Sequence, residues 1–180
     1  RRRVPNCAAH CRINATERLR MLCDGGWLEY DKELVSTDPL GFTDTKPYQA
    51  RLKASIESTG MKDAVIVATG AIDGIPAVVA SMEYGFIGGS MGVVVGEKIA
   101  RGIESAIAAR MPVVIVCCYG GARVMEGSLS LMQMAKPSGP RARLDRTTPP
   151  FHPVLTDPHT DSADPRLPTP GHHRQTPPEA

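Results

Sequence analysis

Two glycine turns constrain the fold of this chain more than any other feature, because each follows strand-like residues and precedes a helical pattern. The first, over 88–92, follows β-branched runs at 64–68 and 77–80 that the turn Asp73-Gly74 joins as an antiparallel pair. The second, Gly120-Gly121, follows a buried strand over 113–118. Helical spacing then predicts helices over 94–110 and 122–136. The order strand, strand, helix, strand, helix predicts a layered α/β domain.

Two further helices are predicted before the strands. Asn14 is placed as an N-cap with Glu17 three residues later, and this helix ends at Gly25-Gly26. A second helix over 47–57 begins at a proline and carries Tyr48, Leu52 and Ile56 on one face.

The composition changes sharply after residue 136. Eleven of the 16 prolines and only 8 apolar residues lie in the 44 residues of 137–180. Proline blocks helix and sheet interiors, and so few apolar side chains cannot offset the entropy of ordering. The sequence therefore predicts a folded domain over 14–136 and a disordered tail over 137–180.

The charge and the cysteines exclude several classes of protein. A formal net charge of +2 gives no reason to expect nucleic acid, and no apolar run is long enough to span a membrane. Five irregularly placed cysteines are typical of a reducing compartment.

Glycine turns at helix N-termini expose backbone N–H groups, which suit a phosphate or an oxyanion, although such glycines also serve simply as tight turns. Residues 88–92 match the G-x-S-x-G pattern of serine hydrolases, in which Ser90 would be the nucleophile. Every histidine after Ser90 lies in the proline-rich tail, so an N-cap role for Ser90 is favoured.

Charged and thiol side chains offer a few other candidates. Arg123 at a helix start opposes the helix dipole, so it either pairs with Glu126 or faces an anionic ligand. Cys7, His10 and Cys11 supply three metal-ligand types, whereas a structural zinc site needs four. Cys117 and Cys118 are predicted to be small apolar fillers rather than reactive thiols.

Several strings together resemble the β subunit of the acetyl-CoA carboxylase carboxyltransferase of bacterial or plastid type, from about Cys7 to Lys136. They are Arg12-Ile13 with Glu17-Arg18, Lys62-Asp63-Ala64, Phe86-Ile87-Gly88-Gly89-Ser90-Met91-Gly92, Val95-Gly96-Glu97-Lys98, Gly120-Gly121-Ala122-Arg123 with Glu126-Gly127, and Leu131-Met132-Gln133-Met134-Ala135-Lys136.

The resemblance implies a crotonase-like fold of repeated strand-strand-helix units. It also implies transfer of a carboxyl group from carboxybiotin to acetyl-CoA, giving malonyl-CoA for fatty acid biosynthesis. By analogy the backbone N–H groups of Gly120 and Gly121 are catalytic. The walls of the acyl-CoA site would be Gly88, Gly89, Ser90, Met91, Gly92, Ala122 and Arg123.

The implied partners belong to an ATP-dependent complex: a carboxyltransferase α subunit, the biotin carboxyl carrier protein and biotin carboxylase. No covalently bound cofactor is implied, and the location would be the cytoplasm or a plastid stroma. Cys7 matches the last cysteine of a four-cysteine zinc ribbon, while Val4 stands where its neighbouring ligand would be. Residues 1–13 would be a remnant of that ribbon, binding zinc only if the ribbon were completed.

The family places a glycine pair, associated with an oxyanion hole, shortly after a T-D-P string that here ends at Pro158. Asp161-Ser162 stands in that place and adds a negative charge. This departure predicts an alternative function, a catalytically defective fragment that binds acyl-CoA or supports assembly.

Overall fold

The computed structural model describes residues 11–146 and 149–156. Its elements are α1 (Ala15–Leu22), β1 (Leu28–Glu29), α2 (Tyr48–Thr59), β2 (Val65–Ile72), β3 (Ile75–Met82), α3 (Val93–Ala109), β4 (Val113–Cys117), α4 (Ser128–Met132), α5 (Ala135–Leu144) and β5 (Phe151–Leu155). Short 3-10 turns occupy Ile87–Gly89 and Val124–Glu126. Among the described helices, none has the length and apolar character needed to cross a membrane.

The five strands form one sheet in the order β1-β2-β3-β4-β5. β2 pairs antiparallel with β1 and with β3, whereas β3, β4 and β5 run parallel. Parallel neighbours need crossover connections, which α3 supplies between β3 and β4, and α4 with α5 between β4 and β5. The carboxyl ends of β3 and β4 therefore meet at one edge of the sheet.

Alternating side chains cover the two faces of the sheet. Val65 and Val67 belong to a large cluster that includes residues of α3 and α5, while Ile66 and Ala68 pack on the other face with α1. This two-residue period is the signature of a sheet buried on both faces. The layered α/β prediction is confirmed.

Several local predictions are also confirmed. The Asn14 side chain accepts a hydrogen bond from the Glu17 N–H at 2.7 Å and caps α1. α2 begins after Pro47 and ends at Gly60, whose left-handed φ of 71° is a common helix stop. Asp73 and Gly74 both have positive φ, as a tight turn between antiparallel strands requires.

The single helix predicted over 122–136 is wrong. This segment contains a 3-10 turn, the short α4 and the beginning of α5. Gly127 separates the first two with φ 53° and ψ −135°, a conformation that is available to glycine and interrupts a helix. The apolar spacing of Met125, Leu129 and Met132 carried no information about this backbone break.

The domain boundary at Lys136 is also wrong, because α5 and β5 lie within the predicted disordered tail. Pro137 stands in the first turn of α5, where a missing N–H costs nothing, while Pro140 is buried inside the helix. Leu144 and Phe151 join the main core. Residues 157–180, including Asp161 and Ser162, and residues 1–10 of the predicted remnant 1–13 lie outside the described residues.

Candidate functional site

The two glycine turns lie side by side at the carboxyl ends of β3 and β4. The Gly120 N–H donates to the Gly88 carbonyl at 2.9 Å, and the Met91 N–H donates to the Gly121 carbonyl at 2.9 Å. The Arg123 N–H donates to the Met91 carbonyl at 2.9 Å, and the two hydrogen bonds of Met91 form a parallel β-bridge between Met91 and Ala122. The structure thus brings together all the residues that the sequence assigned to an acyl-CoA site.

Glycine is required where the turns touch. Gly89 has φ 66°, and a Cβ added there would lie 2.5 Å from the Cys118 carbonyl oxygen. A Cβ at Gly120 would lie 2.9 Å from the Gly88 carbonyl oxygen. Both distances are too short for carbon, so the close approach of the two backbones depends on the missing side chains.

A buried polar cluster lies beneath the turns, and we call its members Tyr48, Asp63, Ser90, Arg123 and Glu126 the Arg123 cluster. The Arg123 guanidinium forms a bidentate ion pair with Asp63, with Nη2 to Oδ1 at 2.6 Å and Nη1 to Oδ2 at 3.0 Å. Both side chains are fully buried. Burial opposes the charge of Arg123, but the hydrogen bonds and charge of Asp63 raise its pKa above the ordinary value.

Arg123 also holds the first glycine turn in place. Its Nη2 donates to the Ser90 carbonyl at 2.7 Å, and its Nε donates to the Ser90 Oγ at 3.2 Å. The predicted N-cap role of Ser90 is therefore wrong: α3 begins at Val93, and its N-cap residue is Gly92. Of the two alternatives for Arg123, pairing with Glu126 is confirmed. The alternative of a ligand-facing Arg123 is wrong, since its side chain is fully buried and also pairs with Asp63.

Glu126 caps α3 instead of Ser90. Its Oε2 accepts a hydrogen bond from the Val93 N–H at 2.6 Å. Its Oε1 accepts hydrogen bonds from the hydroxyls of Tyr48 at 2.7 Å and Ser36 at 3.0 Å. A carboxylate at a helix N-terminus is stabilised by the unpaired N–H groups there. Burial raises the pKa of the Tyr48 hydroxyl well above its usual range, and its hydrogen bond to Glu126 adds to this effect.

The sequence analysis missed Tyr48 and Asp63 as members of this cluster. Asp63 immediately precedes an apolar strand, and Tyr48 begins an amphipathic helix, so each has an ordinary local explanation. The available signal was the position of Asp63 next to an apolar strand, because a charge buried there needs a partner of opposite charge.

Two backbone donors of the second turn have no partner in the described part of the chain, at the buried Gly121 and the half-buried Ala122. The N–H of Gly120 is committed to Gly88, so its predicted catalytic role does not fit this geometry. Gly121 remains a predicted oxyanion donor, and Ala122 supplies a second N–H beside it.

The described residues do not support the hydrolase alternative. Ser90 is buried, and its Oγ accepts a hydrogen bond from Arg123, whereas the serine of a hydrolase triad donates its hydroxyl proton to a histidine. His152, the one histidine among the described residues, pairs in register with Val114 near the beginning of β4. The glycine turns follow the opposite end of that strand.

The cysteines behave as predicted where they are described. Burial raises the pKa of the Cys117 thiol to about 11, which keeps it protonated and unreactive near neutral pH. Cys118 is buried in the main core. Cys7 and His10 lie outside the described residues, and the described part of the chain holds no group of three metal-ligating side chains. Zinc binding stays a prediction.

Curated proteins are similar in sequence to this chain. The chain is 49% identical over 156 residues to the acetyl-coenzyme A carboxylase carboxyl transferase subunit beta of a Synechococcus species, covering 86% of this chain and 53% of that protein. It is 47% identical over 157 residues to the same subunit of Citrifermentans bemidjiense, covering 87% of this chain and 56% of that protein. The chain therefore spans about half the length of the curated relatives it matches.

A solved structure supports the fold assignment. Transcarboxylase 12S, determined with hydrolysed methylmalonyl-coenzyme A bound, matches 79% of this chain and 26% of its own with a TM-score of 0.67 at 25% identity. The predicted crotonase-like fold is confirmed by this likeness. Residues 38–154 match the family described as the carboxyl transferase domain, which extends past the predicted boundary at Lys136. Because this match spans more than half of the sequence, the chain belongs to the carboxyl transferase domain family.

Proposed function

We propose that this chain is the acyl-CoA-facing part of a β-type carboxyltransferase, and that it takes part in carboxyl transfer from carboxybiotin to acetyl-CoA. The observation that carries the proposal is the pairing of the two glycine turns, which leaves the N–H groups of Gly121 and Ala122 without an acceptor among the described residues. Relatives that are 47% to 49% identical carry the name of this subunit, which supports the choice of substrate.

The chemistry needs an oxyanion site rather than a side-chain nucleophile. The methyl group of acetyl-CoA must lose a proton, and the resulting enolate carries negative charge on its oxygen. Backbone N–H groups held in advance stabilise such a charge, and one donor typically contributes about 10²–10³ in rate. The new carbon–carbon bond forms as the carboxyl group leaves the biotin nitrogen, and the methyl proton ends on that nitrogen.

The Arg123 cluster would act on this reaction only through position. It lies behind the turns, fixes Ser90 by two hydrogen bonds and fixes the start of α3 through Glu126. Rigid support of this kind keeps the donors at the geometry that the transition state needs. In this proposal Arg123 is a positioning residue and does not touch the substrate.

The proposed partners are a carboxyltransferase α subunit, which would supply the biotin-facing half, the biotin carboxyl carrier protein and biotin carboxylase. We place the complex in the cytoplasm or in a plastid stroma, as for the enzymes that the sequence resembles. The transcarboxylase neighbour supports an acyl-CoA ligand, since its structure contains a hydrolysed acyl-coenzyme A ester.

The test is malonyl-CoA synthesis by the full chain mixed with an α subunit, carboxylated carrier protein and acetyl-CoA. Product that requires all components supports the proposal. Acetyl-CoA binding without product would instead favour the defective fragment, for which Asp161-Ser162 in place of the glycine pair is the specific argument.

A matched variant separates these two outcomes. Replacing Asp161 and Ser162 together by glycine removes the negative charge and the two side chains from the position of the family's glycine pair. We expect this double variant to raise malonyl-CoA formation by about tenfold or more. Failure of both proteins to bind acetyl-CoA or the α subunit would refute the proposed function.

A further inference from the structure

A cavity of about 250 Å³ lies between α3, α5 and β4, outside the Arg123 cluster. Its walls are mostly apolar and include Met82, Val95, Ile99, Ile103, Ile115 and Phe151. Drug-sized ligands occupy cavities of roughly 300–1,000 Å³, so this space suits a smaller molecule with an apolar body.

One charged side chain lines this apolar space. Arg141 of α5 is 5% exposed, and its guanidinium carbon stands 4.7 Å from the centre of the Phe151 ring. Among the described residues, its Nε and Nη2 atoms are buried without a hydrogen-bond acceptor. The carboxylate of Asp145 lies 4.0 Å from Nη2, outside hydrogen-bond distance, and Asp145 is about half exposed.

A second orphaned donor lines the same cavity. Gln133 is 4% exposed, and its Nε2 atom is also buried without an acceptor in the described part of the chain. A buried polar group that makes no hydrogen bond destabilises the fold, and a charged group does so more strongly. All three orphaned atoms are donors, so the missing group is an acceptor, and beside a guanidinium it is an anion.

We propose that this cavity binds a short-chain aliphatic carboxylate, with its carboxylate on Arg141 and Gln133 and its apolar chain among the side chains of α3 and β4. A carboxylate has the planar geometry that a guanidinium recognises best. Met91 of the first glycine turn and Tyr119 before the second also line the cavity, so it adjoins the proposed acyl-CoA site. The inference rests on Arg141 and Gln133, which have no part in the proposed reaction.

The test is thermal unfolding of the full chain in the presence of hexanoate, 1-hexanol or hexylamine, with direct binding measured by calorimetry. A ligand of the folded state raises the melting temperature in a saturable way. We expect this shift with hexanoate and not with the alcohol or the amine, which have the same chain length and lack the anionic group.

Two arginines on the same helix provide a matched pair of variants. Arg141→Leu removes the buried charge, and we expect it to weaken hexanoate binding by about tenfold or more while leaving the protein folded, since an apolar side chain suits the cavity. Arg143→Leu removes an exposed arginine that is 2.8 Å from Glu104 and should leave binding unchanged.

Equal effects of hexanoate and hexanol would overturn the proposal, because binding would then need no anion. Unchanged hexanoate affinity in Arg141→Leu would also overturn it. The same conclusion would follow if none of the three compounds bound.

Discussion

The fully buried Arg123 side chain donates hydrogen bonds to four residues of the protein. The acceptors include the carboxylates of Asp63 and Glu126, the hydroxyl of Tyr48 and the backbone carbonyl of Ser90. Its sequence position at a predicted helix start suggested either a pair with Glu126, which forms, or an anionic ligand. Burial changes the role of the residue, because a buried cation must have its hydrogen bonds satisfied within the protein. Arg123 therefore supports the glycine turns from behind.

Asp63→Asn tests this ion pair. The substitution keeps the shape but removes the charge that neutralises Arg123, and breaking a buried pair is costly. We expect the free energy of unfolding to fall by about 3 kcal/mol, as measured by denaturant titration. The control is Glu104→Gln, which breaks the exposed pair with Arg143 and should change stability little. Equal effects of the two variants would contradict the structural role of Asp63.

Tyr48→Phe tests the pH dependence that the cluster predicts. Burial raises the pKa of Tyr48 in the folded state above that of the unfolded chain, which is about 10. The stabilising effect of the hydroxyl is thus complete below pH 10 and is lost as the pH rises above it. We expect the wild type to exceed the variant by about 1–2 kcal/mol at neutral pH.

That advantage should shrink by up to about 1.4 kcal/mol per pH unit above pH 10. The measurement is denaturant unfolding of both proteins between about pH 8 and 11. A stability difference that does not change with pH would show that the Tyr48 hydroxyl titrates alike in the folded and unfolded states.

The helices and strands show which local patterns are informative. The hairpin of β2 and β3 follows directly from β-branched runs around Asp73-Gly74. α1 follows from its N-cap, and α2 follows from its initial proline and its apolar face. The break between the 3-10 turn and α4 did not follow, because apolar spacing reports a buried face and not the backbone angles of Gly127.

Gly88 and Gly89 allow the contact between the turns to be tested by neighbouring substitutions. Both have positive φ, but a Cβ at Gly88 meets nothing within 4 Å, whereas at Gly89 it meets the Cys118 carbonyl oxygen at 2.5 Å. Gly88→Ala should cost about 1–2 kcal/mol through backbone strain alone.

Gly89→Ala should cost clearly more and should also separate the two turns. We expect acetyl-CoA binding to be lost in Gly89→Ala and largely kept in Gly88→Ala, as measured by calorimetry beside thermal unfolding. Equal losses in the two variants would mean that backbone strain, and not the close approach of the turns, determines the site.

The ordered part of the described chain is larger than the composition predicted, because most of α5 and all of β5 lie beyond residue 136, and β5 adds a strand to the sheet. A proline-rich segment can still pack when its prolines occupy a first helical turn or an edge strand. Pro137 and Pro153 are in such positions, and Phe151 provides the buried anchor. The average composition of this segment does not reveal its packing, because a few buried apolar side chains are enough to anchor it to the core.

Phe151→Ala tests whether this segment belongs to the cooperative unit. Phe151 is 3% exposed, so its truncation should lower the free energy of unfolding by about 3–5 kcal/mol. Val154→Ala, on the same strand but 39% exposed, should have a much smaller effect. A disordered tail would instead give no change for either variant in denaturant unfolding.

The sequence by itself determined the layered α/β class, the first two helices, the hairpin and the importance of the two glycine turns. These features depend on residue periodicity, caps and turn chemistry, which act over a few neighbouring positions. Only the tertiary structure decided that the turns touch, that Arg123 pairs with Asp63 across 60 positions, and that Glu126 rather than Ser90 caps α3. Such contacts depend on how the parallel strands are ordered in the sheet, and local propensity does not encode that order.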